Sequence, residues 1–255
     1  MTLAEIREFL EEKSSLYNRP AFIAQDPVSV PRSFDRKENA EIGGFLAATL
    51  AWGKREQILV SARRLMGIMD HDPYGFLTGA SPEELAVASR FCHRTFNGAD
   101  AHFFFLALRN LYLRHGGLEA VFTRGYREGG SVAAALSHFR EVFLEPGAPA
   151  RSLRHVADVR AGSAAKRLNM FLRWMVRDDH RGVDLGLWKG IPPSALMLPL
   201  DVHTGNVSRK LGILTRTQND WKAVEEVTAA LRHFDPRDPV KYDFALFGLG
   251  RFEGF

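Results

Sequence analysis

The chain has 255 residues, 45% hydrophobic and 25% charged, with a net charge of +4, the balance of an ordinary globular protein with material for one large or two small cores. No apolar run approaches the roughly 18–20 residues that cross a bilayer, and the acidic, amphipathic start MTLAEIREFLEEKSS is unlike a signal or transit peptide, so a cytoplasmic protein without membrane contact is expected. The single cysteine, Cys92, excludes an internal disulfide framework and a four-cysteine zinc or iron–sulfur site.

Cys92 has no catalytic pattern around it and is read as a buried structural thiol. There is no HExxH, the nine histidines are scattered, and neither a metal nor a cofactor is expected.

Periodicity predicts helix nearly throughout. Leu3, Ile6, Phe9, Leu10 and Leu16 fall at helical spacing over 3–17. After the loop DPVSVPRSFDRK come the apolar helix ENAEIGGFLAATLAW and a second, KREQILVSARRLMGIMD, ended by His71-Asp72-Pro73. Ser81-Pro82-Glu83-Glu84 has the form of a capping box with proline at the first helical position. HFFFLALRNLYLRHGG reads as a strongly apolar helix closed by Gly116-Gly117. Helices over 118–128 and 131–144 precede the break EPGAPA. Beyond it a short helix near Ser152–Val159, the turn Arg160-Ala161-Gly162 and a helix over Ser163–Arg177 are expected, then the connector DDHRGVDLGLWKGIPP. Helices near 203–212, 219–233 and 237–249 complete the chain. With no strand pairing and no repeat, the fold class is all-α.

Residues 151–181 hold seven arginines and one lysine against three aspartates. Such a basic run suits a polyanion, although a solvated helical surface has the same composition. In the helix over 163–177, Leu168, Phe171, Leu172, Met175 and Val176 form the apolar stripe, while Lys166, Met170, Arg173 and Arg177 share another face. Lys166 stands where a cation opposes the helix dipole. Asp201, in PLDVHTGNVSRKLGIL, stands at a helix start, where an aspartate serves as a cap.

Read together, VRAGSAAKRLNMFL and, 35 residues beyond its lysine, PLDVH resemble the helix-hairpin-helix DNA glycosylase superfamily, the group containing endonuclease III and the 8-oxoguanine DNA glycosylases. There a hairpin of the form G-x-G-x-K carries a nucleophilic lysine, and a later V/I-P-V-D-x-H-type segment carries a catalytic aspartate. The matching residues are Gly162-Ser163-Ala164-Ala165-Lys166 and Leu198-Pro199-Leu200-Asp201-Val202-His203, with Ala164 where the second glycine would stand. The long connector looks most like the archaeal 8-oxoguanine glycosylase branch. The resemblance covers about residues 37–255, because ENAEIGGFLAATLAWGKREQI is similar to that family's opening helix pair and KYDFALFGLG to its closing helix. The whole chain is also similar to a bacterial family without an assigned function, through KRLNMFLRWMVR and PLDVHTGNVSRKLG.

The resemblance implies Lys166 as nucleophile and Asp201 as the carboxylate that supports an oxocarbenium-like sugar and takes the lysine proton. Attack requires a neutral amine, which a cationic neighbourhood of Arg167 and Arg173 with partial burial would favour. It further implies DNA contacts from Gly162, Ser163, Ala164, Arg167, Arg173 and His203, because a glycine turn feeding a helix start offers N–H groups to a phosphate. A pocket for an extruded base would draw on Met170, Phe247, Trp52 and Gln57, with Phe244 nearby. The implied architecture is two-lobed with the active site in a cleft: a lobe of 37–180 holding hairpin and lysine, and a lobe of 1–36 plus 181–255 carrying the aspartate. The expected protein is a monomeric, bifunctional glycosylase and abasic-site lyase that excises an oxidised purine, 8-oxoguanine by preference, from damaged double-stranded DNA. A non-catalytic nucleic-acid-binding module, or a monofunctional glycosylase or lyase for another lesion, are the alternatives.

Overall fold

In the computed structural model, which describes all 255 residues, the chain is all-helical and forms no strand; His93 with Phe96 and Ser163 with Asp220 make isolated bridges. The α-helices are α1 (Leu3–Tyr17), α2 (Lys37–Leu50), α3 (Arg55–Ile68), α4 (Pro73–Gly79), α5 (Pro82–Leu85), α6 (Gly98–Arg114), α7 (Leu118–Gly129), α8 (Val132–Leu144), α9 (Lys166–Val176), α10 (Val202–Lys210), α11 (Trp221–Phe234) and α12 (Asp243–Gly248), with short 3-10 turns between several of them. None is long and apolar enough to cross a membrane.

Helix starts follow local chemistry. Thr2, Ser81 and Asn97 each complete a capping box ahead of α1, α5 and α6, and Ser131 and Asp220 accept first-turn N–H bonds of α8 and α11, each cap being worth about 1 kcal/mol. The proline after His71-Asp72 does more than end α3. It opens α4, a helix not anticipated from the sequence, which Asp72 caps by accepting from Gly75 N. The expected helix over 237–249 is instead a 3-10 turn (Pro239–Tyr242), α12, and a π-helical turn (Leu249–Glu253). Gly248 has to be small here, since a Cβ on it would lie 2.1 Å from the Tyr17 ring. Cys92 is exposed, not buried, because it immediately precedes the tight surface turn His93–Phe96.

Internal contacts gather the chain into two compact units, a central one of Gln25–Asp158 and a terminal one of Met1–Ala24 with Val159–Phe255. The boundaries therefore fall away from 37 and 180, and the hairpin and Lys166 share a unit with Asp201. The cause lies in α9. Its Arg173 and Arg177 pair with Asp184, Asp238 and Asp243, and Leu185 and Trp188 of the connector donate N–H bonds to the carbonyls of Trp174 and Met175. Every residue of α9 from Leu168 to Val176 is buried. α1 joins the same unit: Tyr242 donates its hydroxyl to Glu11 (2.6 Å), Ser14 donates to the Lys241 carbonyl (2.9 Å), and Phe9 lies 6.0 Å from Phe255. The central unit is built on phenylalanines. Phe45 of α2 meets Phe104 of α6 and Phe139 and Phe143 of α8 at 5.3–5.9 Å, and Phe122 of α7 stacks on Phe139 at 4.4 Å.

Candidate active site

The turn before α9 starts at Gly162, which is exposed with φ +87° and open space where a side chain would be. Ser163 pairs with Asp220, Trp221 N–H donates to the Gly162 carbonyl (3.0 Å), and Asn169 Nδ2 donates to the Ala164 carbonyl (3.2 Å), so the turn is tied down from both ends. The helix begins at Lys166, three residues later than expected, because Ala165 is left-handed (φ +48°, ψ +34°) and cannot continue a right-handed helix. The departure from a glycine-rich hairpin is thus felt at Ala165, a buried alanine in a conformation that suits glycine. The expected first helix of the hairpin is only a 3-10 turn, Ala150–His155, and belongs to the central unit. Lys166 is the first residue of α9, with its side chain 29% exposed.

Asp201 is the N-cap of α10. The buried segment Met197–Leu200 delivers it there, and Leu198 N–H is held by Thr228 Oγ1 (3.1 Å). Its Oδ1 accepts from His203 N (2.9 Å) and Thr204 N (3.0 Å), while Thr204 Oγ1 accepts from Asp201 N (2.8 Å). Asn219 Nδ2 donates to the Asp201 carbonyl (3.1 Å). These bonds leave Oδ2 for another partner, and that partner is Lys166: Nζ lies 3.5 Å from Oδ2, with the carboxylate side chain 23% exposed. One oxygen caps the helix and the other faces the amine. Both groups retain access to solvent, which a purely structural ion pair does not require.

Behind this pair lies a buried ionic cluster. Arg173 Nε donates to Asp184 Oδ1 (3.2 Å) and its Nη1 to Asp243 Oδ2. Arg177 reaches Asp184 (2.9 Å), Asp238 (2.9 Å) and Asp179 (2.8 Å). Burial disfavours the charge of Arg177, but the three carboxylates outweigh it and hold the guanidinium above its ordinary range. Phe244 lies beneath both guanidiniums, its ring centroid 4.3 Å from Arg173 and 5.6 Å from Arg177. Asp243, the first residue of α12, is lifted to about 6 by burial; Arg173 opposes the rise, Asp201 adds to it and Lys166 opposes it. Asp243 is therefore electrostatically part of the site. No motif marks it in the sequence; its only signal is an aspartate at the start of a strongly apolar segment, DFALFGLG.

The other expected residues divide. Ser163, Ala164 and Arg167 are half-buried and His203 is exposed on the first turn of α10. Burial holds the Arg167 guanidinium below its ordinary value. Arg173 departs from expectation: it is buried and its charge is taken up by Asp184 and Asp243, so it is no free cation beside Lys166 and presents no exposed guanidinium to a DNA phosphate. Met170 is buried in the interior face of α9, and Phe247 makes edge contacts with Phe22 and Phe252 at 6.2 Å. Trp52 and Gln57 belong to the central unit.

No curated protein and no solved structure matches the chain. Residues 26–252 match the family described as a protein of unknown function (DUF2400), and the chain belongs to that family.

Proposed function

We propose that Lys166 and Asp201 are the nucleophile and the carboxylate of a bifunctional DNA glycosylase and abasic-site lyase, in a two-lobed helix-hairpin-helix fold. The observation that carries this reading is the 3.5 Å approach of Lys166 Nζ to the one Asp201 oxygen that does not cap α10. The ammonium of Lys166 passes a proton to Oδ2, and the neutral amine attacks C1′ of the damaged nucleoside. The bond to the base breaks with its electron pair leaving on the base nitrogen. The nitrogen lone pair then breaks the C1′–O4′ bond, O4′ taking a proton to become the sugar hydroxyl, which leaves an iminium between Lys166 and C1′; loss of a proton from C2′ with cleavage of the C3′–O bond releases the 3′ phosphate. Asp201 hands the proton it took from Lys166 to the departing base nitrogen, and the carboxylate so restored stabilises positive charge developing on the sugar. The turn at 162–165, left-handed at Gly162 and Ala165 and with its glycine exposed, suits a backbone phosphate. An oxidised purine such as 8-oxoguanine is the substrate class the family resemblance favours.

Borohydride reduction tests the chemistry. Wild-type protein on abasic or 8-oxoguanine-bearing duplex gives a covalent adduct; Lys166→Gln gives none. Asp201→Asn keeps the helix cap and is expected to bind duplex normally while turnover drops by orders of magnitude. Near-normal excision by Asp201→Asn removes the carboxylate from the mechanism. The second reading, a binding module without catalysis, is favoured by the reduction of the first hairpin helix to a 3-10 turn, and duplex binding without adduct on either substrate would establish it.

A further inference from the structure

In the central unit, α3 and the turn that follows Cys92 line an open concavity of about 410 Å³, with Glu56, Gln57, Val60, Ser61, Cys92, His93 and Arg94 on its walls. The turn is closed by reciprocal main-chain bonds, His93 N to Phe96 O (2.8 Å) and Phe96 N to His93 O (3.0 Å). Its next residue, Arg94, has φ +55°. Tight hairpin turns place glycine or asparagine at such a position, and a larger side chain there is strained. Glycine would make this turn without strain; what arginine adds is its guanidinium.

That guanidinium is held in place. It lies over the Trp52 ring at 4.8 Å and against Gly53, where a Cβ would fall 2.5 Å from Nη1. Gly53 also has φ +103°, so glycine is required there twice over. Beneath, His93 is buried and wired on both sides: Nε2 donates to the Trp52 carbonyl (3.4 Å), which leaves Nδ1 to accept the Ser61 hydroxyl (2.9 Å). Burial lowers the imidazole's affinity for a proton, in keeping with that neutral wiring. No carboxylate pairs with Arg94 among the ion pairs of the structure, unlike Arg173, Arg177 and Arg151, whose carboxylates neutralise them. Four further arginines gather at the same loop. Arg64 donates to the Arg90 carbonyl (3.5 Å), and Arg151 and Arg154 both donate to the Thr95 carbonyl (3.2 and 3.1 Å).

We infer that this concavity binds a phosphorylated nucleoside, with the phosphate on Arg94 and the base against Val60, Gln57 and Glu56. A planar guanidinium with free N–H groups fits phosphate in two-pronged fashion. Exposed Val60 offers an apolar face, and the amide of Gln57 and carboxylate of Glu56 match the donors and acceptors on a base edge. The volume lies in the range of small-ligand sites. The nucleotide is either free or part of a DNA strand, and the two sources share this chemistry.

Titration calorimetry with deoxyadenosine monophosphate, deoxyadenosine and a single-stranded tetranucleotide tests the site on full-length protein. Wild type is expected to bind the monophosphate or the tetranucleotide and to bind deoxyadenosine at least tenfold more weakly. Arg94→Gly loses at least tenfold in affinity while its Tm stays level or rises, because the turn is relieved. Arg94→Lys keeps the charge without the fork and falls between. Binding of the tetranucleotide alone assigns the site to a strand; binding of the monophosphate extends it to free nucleotides. Unchanged affinity in Arg94→Gly, equal binding of deoxyadenosine, a Tm several degrees lower in Arg94→Gly, or no binding of any probe overturns the inference. No step of this measurement uses Lys166 or Asp201, so its outcome is separate from that of the adduct experiment.

Discussion

The two units solve the problem of an interior in opposite ways. The central unit buries a run of phenylalanines, with Phe45, Phe104, Phe139 and Phe143 in mutual contact. The terminal unit buries charge: Arg173, Arg177, Asp184 and Asp243 are all nearly inaccessible. An apolar core of that density gains from burial and close packing alone. A buried ionic cluster must recover a desolvation penalty of several kcal/mol per ion through its own geometry, and a hydrophobic core would often serve stability as well. The ionic interior lies where Lys166 and Asp201 stand, and Asp243 couples the two electrostatically. The difference teaches that the terminal unit gathers buried, paired charges close to its surface pair, whereas the central unit, although it also buries Glu41, His93 and Asp100, is built chiefly on aromatic packing.

The sharpest way to break this comparison is to remove one member from each interior. Arg177→Ala strands Asp184, Asp179 and Asp238, and its expected loss is about 3–5 kcal/mol. Phe143→Ala empties a fully buried ring site and costs about the same. Denaturant midpoints at pH 8 and pH 5 separate them. The loss in Arg177→Ala shrinks at the lower pH, as the stranded carboxylates take up protons, while the loss in Phe143→Ala stays constant. Equal pH behaviour in the two variants would mean that the ionic cluster contributes as packed volume and not as charge.

How much of this was legible follows from range. Helical periodicity is a local signal, and α1, α2, α3, α7 and α8 lie within a few residues of their expected spans. The approach of Lys166 to Asp201 was legible through short motifs, and the cap at Asp201 through its place ahead of α10. The partners of Arg173 were not. Its carboxylates come from 11 and 70 residues along the chain, and no local pattern announces such pairing, so a basic helix face looked solvated and DNA-facing when it is interior. Arg94 was hidden for another reason: a positive φ on arginine is a property of the turn's closure, and composition carries no trace of it. The same holds for Ala165: the motif sets alanine against glycine at its neighbour Ala164, while the left-handed backbone falls at Ala165.

A smaller effect sharpens the ionic side of the comparison. Asp243 holds its proton to about pH 6 in the folded protein and to about pH 4 in the unfolded chain. A folded value above the unfolded one means that the carboxyl's contribution is fully present below about pH 4 and is lost as pH rises through about 6, by up to ~3 kcal/mol. Asp243→Asn does not titrate. The stability of wild type minus that of the variant is therefore expected to fall from pH 4 to pH 6 and to be level above. A difference that is flat across that window, or that rises, would show that the Arg173 pair keeps the carboxyl ionised throughout.

The smallest expected effect concerns the backbone that carries Lys166. Ala165 is left-handed and buried at the position just before α9, its N–H bonded to Ser163 Oγ (3.2 Å) and its carbonyl accepting from Asn169 N (2.9 Å). A Cβ in that conformation costs roughly 1–2 kcal/mol, and replacing alanine by glycine returns part of this while adding about 0.4–1 kcal/mol of unfolded-chain entropy. Ala165→Gly should therefore raise stability by less than about 1 kcal/mol. Ala165→Val, with a branched Cβ in the same region, should lower it by several times that amount. Denaturant midpoints for the pair decide the matter: a glycine variant clearly less stable than wild type would mean that the buried methyl contributes more than the strain removes, and that the turn ahead of Lys166 is held by packing and not by its hydrogen bonds.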